Sequence, residues 1–106
     1  MATKWDVDTV KDVLTKNPGG MVLMYWDECG HCKGTIEKIK SKYGINPSGA
    51  TAYPKQRVAL VERRMIKDGT VRGFPTVFTM GPNGTLNTSH DTNPVLQRFG
   101  LPAAGR

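Results

Sequence analysis

The sequence predicts a single three-layer α/β domain, with a central mixed sheet of about four to five strands flanked by helices. Three patterns predict it: a six-residue run, Met21 to Trp26, that is apolar throughout; apolar residues at helical spacing on either side of it; and two short strand-like runs separated by Gly81-Pro82-Asn83-Gly84. At 106 residues the chain has the length of one domain, residues 1–106. That length buries enough apolar surface to fold without disulfide staples or a structural metal.

Thr9 and Asp12 have the spacing of a capping box, and Val10, Val13 and Leu14 follow at helical spacing. Residues 9 to 16 are therefore predicted as a helix, stopped by Asn17-Pro18-Gly19-Gly20. Met21 to Trp26 reads as a central strand, since a strand covered on both faces has no polar side to alternate with. After Asp27 to His31 the pattern changes to Ile36 and Ile39 with Lys and Glu between them, a helix that runs to Tyr43 and ends at Gly44. Residues 45 to 56, with Pro47, Gly49 and Pro54, read as an irregular loop, and Arg57 to Glu62 as the next strand. The polar stretch to Gly69 has room for one or two helical turns. Thr76 to Met80 and Thr85 to Thr88 form a predicted antiparallel hairpin with Asn83-Gly84 at its turn. Asn93 to Phe99 completes the chain as a helix, with Pro94 at its start and Val95, Leu96 and Phe99 on one side.

Fifteen Lys and Arg against nine Asp and Glu leave a formal charge of +6, which favours an acidic partner of some kind. The basic residues are scattered from Lys4 to Arg106 without a run of five. A solvated surface is therefore expected, and a nucleic-acid footprint is not. Met21 to Trp26, the longest apolar run, is far too short to span a bilayer, so no membrane partner is expected. Met1 to Val10 carries Lys4, Asp6 and Asp8 in place of the basic start and apolar stretch of a signal peptide. Ala104-Gly105-Arg106 is no retention signal. The cytoplasm is the default compartment on those grounds, with the endoplasmic reticulum or a virion as the other settings left open. Asn83-Gly84-Thr85 and Asn87-Thr88-Ser89 are glycosylation sequons that matter only in a secretory compartment.

Cys29 and Cys32 are the chain's two cysteines. A disulfide between them closes so short a loop that it constrains the unfolded chain little, which argues against a purely structural bridge. Thiol–disulfide exchange needs one thiolate that attacks and a second thiol that resolves the mixed disulfide, and a two-residue spacing places both within reach. At the start of a helix, Cys29 lies near unpaired backbone N–H groups and the positive end of the helix dipole, both of which favour its ionised form. A charged His31, and more weakly Lys33, acts in the same direction. Cys32, one turn further in, is expected to be more buried and to keep a higher pKa. Cys29 is thus the predicted nucleophile and Cys32 the resolver. Zinc needs two more soft ligands, and only His31 and His90 remain. A cluster bridging two chains, or a pair of inert core thiols, are the other readings left open.

Trp26-Asp27-Glu28-Cys29-Gly30-His31-Cys32-Lys33 after an apolar strand, with Val71-Arg72-Gly73-Phe74-Pro75-Thr76-Val77 before a hairpin, resembles the catalytic a-type domain of protein disulfide isomerases in the thioredoxin superfamily. The resemblance covers most of the chain. It implies a thioredoxin-like fold, and an enzyme that exchanges dithiols and disulfides on protein substrates with an oxidase or isomerase bias. It implies catalytic roles for Cys29, Gly30, His31 and Cys32. The residue matching Pro75 is cis in that family, so Phe74, Pro75 and Thr76 are expected to hold an extended substrate, with Trp26 at the rim. No cofactor is implied beyond the cysteine pair, with glutathione as a redox partner, and the chain is expected to act as a monomer.

The chain departs from the family at several places. Leu23 stands where a buried acid usually serves the second cysteine, and Val58 where that acid has a lysine partner, with Lys55 and Arg57 nearby. The family's arginine in the loop before the last helix has no clear match, and only His90 and Arg98 are candidates. Glu28 replaces an aromatic residue and is expected to raise the Cys29 pKa. Glu37 replaces a helix-kinking proline. The chain resembles a stripped-down, single-domain form, one also found in large DNA viruses. A thioredoxin-type reductase, a glutaredoxin-like enzyme and a thioredoxin-like binding or chaperone module with incidental cysteines are the alternatives.

Overall fold

The computed structural model describes residues 4–45 and 49–103. Pro47 and the tripeptide Ala104-Gly105-Arg106 lie outside the described residues. In chain order the elements are helix α1 (Val7–Lys16), strand β1 (Met21–Tyr25), helix α2 (Gly30–Tyr43), strands β2 (Ala50–Tyr53) and β3 (Val58–Glu62), a single 3-10 turn (Arg63–Met65), strands β4 (Thr76–Met80) and β5 (Leu86–Ser89), and helix α3 (Asn93–Arg98).

The strands form one mixed sheet in the order β2-β3-β1-β4-β5. β1 runs parallel to β3, with Leu23 opposite Leu60, and antiparallel to β4, with Leu23 opposite Val77. The apolar run of β1 fills both faces. Leu23 and Tyr25 pack with Leu60, Val77, Ile36 and Ile39 of α2, and Val95, Leu96 and Phe99 at the chain's end. Val22 and Met24 pack with Val61, Phe78, and Val10 and Leu14 of α1. Each of these side chains is 8 % exposed or less. Burying a Leu or Val fully is worth about 1.5–3 kcal/mol, so this sandwich supplies the rigidity on which the loops at its ends depend. No helix among the described residues is long and apolar enough to cross a membrane.

Two expectations are corrected. α1 starts two residues before Thr9, because Asp6 is its cap: the Asp6 carboxylate accepts from the Thr9 amide at 2.8 Å and from its hydroxyl at 2.9 Å. Asp12 instead pairs with Lys16 on the exposed face, a contact of little worth. The expected loop at 45–56 contains β2, an edge strand antiparallel to β3, with Thr51 opposite Leu60. Thr51 and Tyr53 favour a strand whereas Ala50 and Ala52 do not, and the four-residue segment is held by the open edge of β3. The hairpin forms where expected, with its second strand one residue later than read: Gly81 N–H donates to Thr85 O at 2.8 Å, Gly84 sits at φ +73°, and Met80 pairs with Leu86. The polar stretch after β3 forms only the one 3-10 turn.

Candidate active site

The topology brings four chain segments to one end of the sheet. The chain leaves β1 and β3 at that end; β4 begins there, since Thr76 lies opposite Met24, and β5 finishes there, since Ser89 lies opposite Val77. Residues 26–32, 62–65, 73–75 and 90–92 therefore converge. Such a crevice beyond the strand ends is where open α/β sheets place their sites. The opposite end receives Lys55, Arg57, Val58 and Arg98. Val58 pairs with Met21 and not with Leu23, whose neighbour is Leu60. Arg57 reaches Pro18 O, and Arg98 donates to Gln56 O and Gly19 O. Val58, at the position of the family's lysine, thus pairs with Met21, while Leu23 faces Leu60.

Cys29 is the N-cap of α2, and Cys32 lies in its first turn. Both thiols are free, and the two cysteines lie 3.9 Å apart. Cys29 is partly exposed and donates to Phe74 O at 3.6 Å. Cys32 is 1 % exposed, and its sulfur accepts from the Trp26 amide at 3.5 Å.

The two thiols differ in acidity. At Cys29, desolvation pulls the pKa up. The backbone N–H groups of Cys32 and His31 and the Cys32 thiol together outweigh it, leaving Cys29 below its ordinary value of 9.0. No cap hydrogen bond of normal geometry reaches the sulfur, so the N–H groups act through their proximity and polarity. At Cys32, burial pushes the pKa up to about 12, with the Trp26 amide opposing and the charges of Cys29 and Asp27 adding to it. Of the two thiols, Cys29 is therefore the one that ionises first as the pH rises.

Glu28, expected to oppose ionisation of Cys29, is engaged elsewhere: its Oε2 accepts from Trp26 Nε1 at 3.3 Å. Trp26 is held on two further sides, by the Phe74 ring at 6.5 Å between centroids and by the Arg63 guanidinium 4.9 Å above its own ring. The Phe74–Pro75 peptide is cis. Phe74 is half-buried, whereas Pro75 and Thr76 are buried. The Thr76 hydroxyl donates to Gly73 O at 2.7 Å, so Thr76 braces the loop from below. Pro75 O accepts from His90 Nδ1 at 2.8 Å. Gly30 and His31 are exposed and, with Phe74, Pro75 and His90, line a hollow of about 640 Å³. α2 is continuous through Glu37.

Three groups at the site were given no role there by the sequence reading. Asp27 Oδ1 is buried without a hydrogen-bond partner. Glu62, 1 % exposed, holds the Arg64 amide at 3.2 Å and its Nε at 3.5 Å. Tyr25, equally buried, has its pKa pushed up to about 12 by desolvation, with Glu62 and Asp27 adding to it. The signal for Asp27 was its place two residues before Cys29. Glu62 carried one only in retrospect, as a carboxylate ending a strand parallel to β1. Among the described residues no group of three or more His, Cys, Asp or Glu is placed to hold a metal ion.

No family model, curated protein or solved structure matches the chain.

Proposed function

We propose that this chain is a thioredoxin-like thiol–disulfide oxidoreductase acting on protein substrates, similar to a single a-type domain of a protein disulfide isomerase. The observation that carries the reading is the pair of free cysteines 3.9 Å apart at a strand-to-helix junction, one partly exposed and acidified, the other buried and held protonated. Beside them, the Phe74 carbonyl marks the path of an extended substrate backbone.

The Cys29 thiolate attacks one sulfur of a substrate disulfide, forming a Cys29–substrate disulfide and expelling the second substrate sulfur as a thiolate. Cys32 then loses its proton and attacks the Cys29 sulfur. The intramolecular disulfide forms, and the first substrate sulfur leaves as a thiolate. The substrate has gained two electrons and the pair has lost two; run backwards, the same steps oxidise a substrate dithiol. Isomerisation needs only the first step, with a thiol of the substrate itself releasing Cys29. Favouring the Cys29 thiolate favours the reduced pair, which biases exchange toward oxidation and isomerisation. Glutathione serves as the small redox partner, and the chain works as a monomer.

Asp27 is the base for Cys32 in this scheme, with its unpartnered Oδ1 as the proton acceptor. Asp27→Asn is expected to slow release of the mixed disulfide by about 10²-fold, the lower end of a general-base contribution, while leaving the rate of its formation in place. The amide also removes a charge that raises the Cys32 pKa. Faster release in stopped-flow traces is therefore the result that contradicts this role.

The proposed activity is tested by refolding scrambled ribonuclease in a glutathione buffer at neutral pH. The chain is expected to restore ribonuclease activity well above the buffer rate; no restoration overturns the proposal.

A further inference from the structure

Phe74 sits between two hollows. One, described above, holds His31, Pro75 and His90 and has a single carboxylate residue, Asp91, at its edge. The other, of about 400 Å³, opens beside the 3-10 turn and has a different chemistry. Four cations line it, Lys4, Arg63, Arg64 and Lys67, against one carboxylate, Asp68; Ile66, Val71 and Phe74 form its apolar part. All four cations are exposed. Arg64 is balanced in part by Glu62 behind it, at 3.5 Å, and Lys67 acts on Asp6 beyond the rim. With Asp68 as the hollow's one carboxylate, Lys4, Arg63 and Lys67 carry the excess of positive charge at its opening.

This second hollow is physically continuous with the reactive sulfur. Cys29 touches the Phe74 carbonyl, the Phe74 ring meets Trp26, and the Arg63 guanidinium covers the Trp26 ring. A segment bonded to Cys29 and extended over Phe74, at about 3.3 Å per residue, reaches the cations within a few residues on one side and the histidine-lined hollow on the other. We infer that the hollow lined by Lys4, Arg63 and Lys67 is a subsite for acidic side chains of the protein substrate, placed on one side only of the substrate's reactive cysteine. This rests on the thiol-exchange reading above and adds to it a substrate class: disulfides with Asp or Glu close in sequence on that side. Ile66, Val71 and Phe74 in its lining suit the stems of Asp and Glu on a peptide.

Three eight-residue peptides with a central cysteine, each as a mixed disulfide with thionitrobenzoate, test the inference. They carry two Asp on the amino-terminal side, two Asp on the carboxy-terminal side, or Lys on both sides. At about 0.01 M salt one acidic peptide is expected to react roughly tenfold faster than the lysine peptide, and the advantage shrinks toward unity at about 1 M salt, where charges more than about 3 Å apart are largely screened. Arg63→Glu with Lys67→Glu inverts the ratio, and Arg63→Gln with Lys67→Gln flattens it. The ratio is read within each variant, so a general change in thiol reactivity cancels. Equal rates for the three peptides, or a ratio that survives the double charge reversal, overturns the inference. Uncharged 4,4′-dithiodipyridine separates the two levels: if it reacts with the wild-type thiol while the peptide ratio is flat, only the subsite fails. If it does not react, both readings fail.

Discussion

Cys29→Ser is expected to bring ribonuclease rescue and insulin reduction down to the buffer background. The hydroxyl is close to the thiol in size, and position 29 is partly exposed, so folded stability should change by less than about 0.5 kcal/mol. Chemistry is lost because a serine hydroxyl, unlike a thiol, does not ionise near neutral pH even beside the N–H groups of Cys32 and His31 that lower the Cys29 pKa. A thermal melt alongside both assays separates loss of reaction from loss of fold. Unchanged rates in both assays would transfer the function to a binding or chaperone role in which the cysteines are incidental.

Cys32→Ser is expected to produce the opposite signature, accumulation in place of loss. Attack by Cys29 needs nothing from position 32 except a neighbouring polar group, so mixed disulfides with substrate proteins form and then persist. Non-reducing gels of the variant mixed with scrambled ribonuclease should show a stable adduct that dithiothreitol removes. The buried serine oxygen inherits the Trp26 amide as a partner, in place of the sulfur now 3.5 Å away, which keeps the stability loss to about 1 kcal/mol. Absence of an adduct, with Cys29 still reactive toward small disulfides, would contradict the division of labour between the two thiols.

Much of this arrangement was legible in the sequence because local pattern and tertiary demand agreed. Met21 to Tyr25 is apolar at every position, and β1 is the middle strand, buried on both faces. Ile36 and Ile39 set the inner face of α2, and the cysteines fall at its start because the apolar run ends just before them. β2 was hidden, since Ala50 to Tyr53 becomes a strand only through pairing with β3. The capping-box spacing pointed to Thr9 as the cap of α1, whereas Asp6 fills that place. At the site, chain spacing singled out Cys29 and Cys32, and the family resemblance singled out Phe74 and Pro75, whose loop lies against Cys29. It could not find Glu62, which joins the cluster through a parallel register between strands separated by an intervening helix and an edge strand. Nor could it show that Glu28 is occupied by Trp26 and that Asp27, one residue earlier, carries the buried oxygen.

The most direct measurement is the rate of iodoacetamide alkylation of the reduced chain against pH, with the modified residue located by mass spectrometry. Label is predicted on Cys29 with a midpoint below pH 9.0, while Cys32, held up to about 12, stays unmodified through that range. A midpoint at or above 9.0, or label appearing first on Cys32, would contradict the account.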